Sequence, residues 1–97
     1  MRVMARISGP TERGNTAMTD GSNARLIQEL VERWKPEAVY FATIDGQRGA
    51  YVVFDLQHPS DIPTFCEPLF QGLDAKVDIF PVMTPEDLQS AFATAQQ

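Results

Sequence analysis

The chain has 97 residues, 43% of them hydrophobic and 22% charged, with a net charge of -5. That length fits one domain, and an acidic chain with scattered bases lacks the basic stripe of a nucleic-acid binder or a polybasic membrane patch. No apolar run approaches the roughly 20 residues of a membrane span, and the lone Cys66 can form no internal disulfide.

Met1 to Ser8 alternates, with Val3, Ala5 and Ile7 on one side and Met4 and Arg6 on the other. Period two predicts a strand. Ser8 to Asn15 carries Gly9, Pro10 and Gly14 and reads as a loop. Its Arg13 reads as a solvated charge, with gating of a cavity as the alternative. Asn15 or Thr16 is placed to cap a helix running to about Lys35, with Ala17, Ala24, Ile27, Leu30, Val31 and Trp34 at helical spacing. Gly21 weakens it, and a break near Asp20-Gly21 is an alternative. Pro36 ends it. Ala38 to Ile44 is rich in β-branched and aromatic residues and predicts a second strand. Asp45-Gly46 predicts a hairpin, because a type I′ turn needs positive φ at both central residues. Gly49 to Leu56 is the returning strand.

Beyond His58-Pro59, Ser60 reads as an N-cap, with Asp61 in the first turn of a helix. Its apolar stripe runs from Ile62 through Phe65, Cys66, Leu69 and Phe70 to Leu73, and Pro68 inside it predicts a kink or a split. Lys76 to Met83 is the fourth strand. Thr84-Pro85-Glu86-Asp87 predicts a capped terminal helix with proline at its first position.

This βαββαβ order predicts an α+β, ferredoxin-like single domain over residues 1-97, with an antiparallel sheet in 4-1-3-2 order and a C-terminal helix. Parity puts Val39, Phe41, Ala50, Val52 and Phe54 on one face with Val3, Ala5, Ile7, Val77 and Ile79, the expected helix-covered core. The other face carries Met4, Arg6, Tyr40, Ala42, Tyr51, Val53, Asp55, Asp78, Phe80 and Val82. A solvated sheet face should be mostly polar, and this one is not. A second sheet covering it, in a homodimeric barrel, is the economical answer. With strand three taken as parallel to strand one, Arg6, Asp55 and Asp78 are expected to meet at one end of that face. They then form either a salt-bridge cluster that fixes register or the polar end of a pocket, with Arg6 holding an anion.

The stretches PEAVYF at Pro36 to Phe41, Ile62-Pro63, Glu67-Pro68 and VMTPEDL at Val82 to Leu88 resemble a small bacterial family of uncharacterised proteins in the dimeric α+β barrel superfamily. The resemblance covers most of the chain, but its motifs are structural. Some members carry a pantothenate-synthetase name, which implies a nucleotide-binding domain that 97 residues do not hold. Neither a P-loop nor a GxGxxG is present. The superfamily includes muconolactone isomerases, quinone-forming monooxygenases, polyketide cyclases and haem-degrading enzymes. The resemblance therefore implies a site in the barrel cavity without implying its chemistry, and it carries over no catalytic residues.

The candidate pocket residues are Arg6, Tyr40, Tyr51, Asp55, His58 and Asp78. His58, the one histidine, is matched to proton transfer near neutral pH, though a His-Pro at a strand end is more often a turn. One histidine builds no usual zinc site, so no metal or nucleotide cofactor is expected. Tyr40 and Tyr51 can donate to an oxyanion or serve as interface aromatics. Cys66 and Trp34 read as packing residues. The N-terminus lacks an apolar h-region and does not read as a signal peptide. With the lone cysteine, this points to a reducing, cytoplasmic setting. The expected partners are a second copy and a small molecule, with no nucleic acid and no membrane. Two functions fit: a barrel that binds or transforms a small aromatic or polyketide-like molecule, and a non-enzymatic assembly protein with a filled barrel.

Overall fold

The structure, a computed structural model, describes residues 1–96. Four strands and four helices alternate as β1 (Arg2–Ser8), α1 (Thr11–Asp20), α2 (Ser22–Trp34), β2 (Ala38–Ile44), β3 (Gln47–Asp55), α3 (Asp61–Leu73), β4 (Lys76–Pro81) and α4 (Pro85–Ala95). The strands make one sheet in the order β2-β3-β1-β4, which is β4-β1-β3-β2 from the other edge. Every neighbouring pair is antiparallel. This α+β arrangement is consistent with a ferredoxin-like fold.

The hairpin turns at Asp45 (φ 54) and Gly46 (φ 76). Both lie in the left-handed region that a type I′ turn demands. Ile44 therefore faces Gln47, and Tyr40 faces Tyr51. That register sets which side chains share each face.

The core lies between the sheet and α3. Val3, Ala5, Val52 and Phe54 from the sheet are buried with Phe65, Cys66 and Leu69 from α3. Phe54 and Phe65 stack at 4.5 Å between centroids, and Trp34 meets each at 5.6 Å. One aromatic cluster thus ties β3, α3 and the end of α2 together. Such pairs add about 0.5–1.5 kcal/mol beyond the area they bury. Burial raises the Cys66 thiol pKa, with Glu67 adding to the effect. A thiol so placed is a packing group rather than a nucleophile.

Several local expectations are corrected. Thr11 to Asn15 is helical, not loop. Pro10 sits in extended backbone ahead of α1, and its carbonyl accepts the Gly14 N–H at 2.9 Å. Asn15 and Thr16 consequently lie inside α1 and cap nothing. Arg13 is not free in solvent; its Nε donates to the Gly72 carbonyl at 2.9 Å and ties α1 to α3. Of the two readings at Asp20-Gly21 the break holds: there are two helices, because Gly21 takes φ 82. Glycine enters that region without the Cβ clash that other residues meet. Ser60 makes no side-chain cap. Instead the Asp61 carboxylate accepts the His58 N–H at 3.3 Å. Pro68 does not split α3, which runs unbroken from Asp61 to Leu73. Thr64, whose carbonyl loses its partner to Pro68, is exposed to water, as is Pro68 itself.

The expected core face is also only partly covered. Phe41, on edge strand β2, is 62% exposed, and α2 has no buried residue. Helix cover stops short of the β2 edge. Among the described residues no helix is long and apolar enough to cross a membrane.

Candidate functional site on the outer sheet face

The face turned away from the helices is organised in rows across the strands. Tyr40 lies opposite Tyr51, Tyr51 opposite Arg6, and Arg6 opposite Asp78. One row therefore runs Tyr40–Tyr51–Arg6–Asp78 over all four strands. The next runs Ala38–Val53–Met4–Phe80. The first row presents two phenols, a guanidinium and a carboxylate; the second is wholly apolar. Tyr40 is 65% exposed and Phe80 38%, while Met4, Arg6, Tyr51 and Val53 are half-buried.

Arg6 is the electrostatic centre of this face. The Tyr51 hydroxyl first, and the Asp45 carboxylate next, raise its pKa above the ordinary value. Its Nη2 meets Asp45 Oδ2 at 3.3 Å. Asp45 itself is mostly exposed, so the pair contributes little to stability. The guanidinium remains able to meet an anion arriving over Tyr51, and planar bidentate contact suits a carboxylate. Flanking tyrosines offer aromatic surface and two hydroxyl donors.

The expected triad of Arg6, Asp55 and Asp78 does not assemble. Strand β3 is antiparallel to β1, not parallel, so Asp55 pairs with Arg2. Asp55 lies four residues beyond Tyr51, about 13 Å along the strand. There its carboxylate meets the Met1 ammonium at 2.7 Å, which lowers its pKa. Asp78 is the register partner of Arg6, yet the guanidinium reaches the hairpin instead. His58 stands exposed in the segment after β3, at the Asp55 end and away from the row. The row thus unites Tyr40, Tyr51, Arg6 and Asp78 and leaves out Asp55 and His58.

Two features were missed from sequence. Arg2 Nε meets Glu37 Oε1 at 2.6 Å, and Arg2 Nη1 lies 3.7 Å from Asp87 Oδ2. This ion-pair set pins the start of β1 to the starts of β2 and α4, and Glu37 raises the Arg2 pKa. The signal was Arg2 itself, which shares a face with Arg6 by alternation. The second feature is an apolar groove of about 450 Å³ on the helix side, between α2 and the β2 edge. Its signal was the α2 stripe facing an edge strand.

The chain matches no protein-family model, and no curated protein is significantly similar to it.

Proposed function

We propose that this chain is a homodimeric ferredoxin-like barrel protein that binds a small aromatic or polyketide-like molecule bearing an anionic group. Two outer sheet faces close over one another, and the ligand lies between them. Arg6 holds the anion, the Tyr51 hydroxyl shares it, and Tyr40 with the apolar row supplies the walls. The single observation that carries this reading is the Tyr40–Tyr51–Arg6–Asp78 row beside the wholly apolar Ala38–Val53–Met4–Phe80 row on the same sheet face. A monomer rarely leaves such a patch open beyond roughly 300–600 Å². A half-buried guanidinium amid aromatics, paired only with an exposed carboxylate, is a recognition group more than a stabilising one.

The test is a binding titration with aromatic carboxylates against wild type and Arg6→Met. Saturable binding by wild type, lost in a variant with an unchanged denaturation midpoint, supports the reading. A dimer that binds no such compound, with its interior packed by Tyr40, Tyr51, Phe80 and Met4, would assign the face to assembly alone.

A further inference from the structure

The molecule has two further unmet apolar surfaces, far apart in the same chain. One is the groove. Leu26, Ile27, Leu30 and Val31 of α2 line one wall, and Val39 and Phe41 of β2 line the other. The sole charged residue in its lining is Arg48. Val31 is 43% exposed there, so the groove stands open.

The other surface is α4. The helix is well formed: Thr84 Oγ1 accepts the Asp87 N–H at 3.2 Å, and the Asp87 carboxylate accepts the Thr84 N–H at 3.0 Å. Pro85 occupies its first turn. Yet every residue from Pro85 to Gln96 is exposed, Leu88 and Phe92 among them. Leu88, Ala91, Phe92 and Ala95 recur at helical spacing and make one apolar stripe. An isolated helix this short is marginal in water without packing. The projecting helix accords with principal extents of 56 × 27 × 17 Å and a radius of gyration of 15.6 Å. A compact chain of this length has a radius of gyration of about 12.5 Å.

We infer that α4 docks in the α2–β2 groove of a second copy of this chain, with Leu88 and Phe92 filling it. The chain's own groove is a poor target. α4 leaves the sheet at the β4 edge, while the groove opens at the β2 edge, three strand spacings or about 14 Å away. α3 packs over the sheet between them. Charge also fits. α4 brings the exposed Glu86 and no basic residue, and the groove offers Arg48. This contact is on the opposite face of the sheet from the proposed barrel interior, so either can exist without the other.

The test is cross-linking in the full-length chain. A Val31→Cys chain is mixed with a Phe92→Cys chain of different mass, and a short bismaleimide is added. A product joining the two different chains is expected, and Leu88→Asp in the Phe92→Cys chain should abolish it. In parallel, Leu88→Asp/Phe92→Asp should keep the fold, since α4 lies outside the core, and should weaken self-association at least about tenfold. It should also open the groove to an apolar dye. A cross-link confined to one chain of a Val31→Cys/Phe92→Cys double variant would overturn the proposal. So would no cross-link between chains, or wild type taking up dye as freely as the double aspartate variant. Failure of the barrel reading shows elsewhere, as a Tyr51→Asp variant with undiminished self-association.

Discussion

Arg6 illustrates how a strand direction decides chemistry. Its neighbours across the sheet are Tyr51 and Asp78 because β3 and β4 both run antiparallel to β1. Were β3 parallel, Asp55 would sit there and a carboxylate would occupy the place of a phenol. The direction was in fact readable: a crossover makes β1 and β2 parallel, and the Asp45-Gly46 hairpin reverses the chain for β3. The shared face of Tyr40 and Tyr51 was legible from parity, but their pairing was not: a four-residue loop would have set Tyr40 opposite Val53, and the two-residue turn decides it. What no sequence pattern carries is the reach of Arg6 toward Asp45 rather than Asp78, because long side chains choose among several nearby carboxylates. The turn itself yields a residue-scale prediction. Gly46→Val places a β-branched side chain at φ 76 and should cost about 1 kcal/mol or more in a denaturant titration. An unchanged midpoint would show that the turn relaxes without strain.

Among the elements, strands and the terminal helix were easier to read than the first helices. Alternation marked β1, and Thr84-Pro85 marked α4, because each pattern has one physical solution. Thr11 to Asn15 read as loop because Gly14 and Pro10 are turn formers by composition, yet proline just before a helix costs nothing. α4 gives two element-scale predictions. Thr84→Ala removes the cap and should destabilise the helix by about 1 kcal/mol, seen as lost helical circular dichroism. Acid should act at the same cap. The Thr84 backbone N–H, then its hydroxyl, and Arg2 hold the Asp87 pKa below the ordinary carboxylate value. A depressed folded pKa means a contribution fully present above the unfolded value of about 3.9 and lost as pH falls through the lower folded value. Helicity should therefore hold to about pH 4 and fall in stronger acid. In Asp87→Asn the acid-dependent part of that fall should vanish; identical acid titrations for the two proteins would exclude the cap as its source.

At the scale of the whole molecule, this chain covers one side of its sheet incompletely and lays no helix over the row of Tyr40, Tyr51 and Arg6 on the other. The inner face has a core under α3 but an open groove at β2. The outer face is largely apolar around Arg6, with Arg2 and Asp55 at its far end. An apolar outer face was legible in the strand parity, whereas the open groove was not. Periodicity shows which side of α2 is apolar, but not how far that side reaches across an edge strand. The central claim is that a second copy covers the outer face. Sedimentation equilibrium on the full-length chain and on Tyr51→Asp, both checked for native circular dichroism, tests it most directly. The account predicts a wild-type assembly of at least two copies at micromolar concentration and a folded variant whose association is weakened by at least tenfold, since the change trades an interface aromatic for a carboxylate that must be desolvated. A well-folded wild-type monomer at that concentration, or a Tyr51→Asp dimer as tight as wild type, would contradict it.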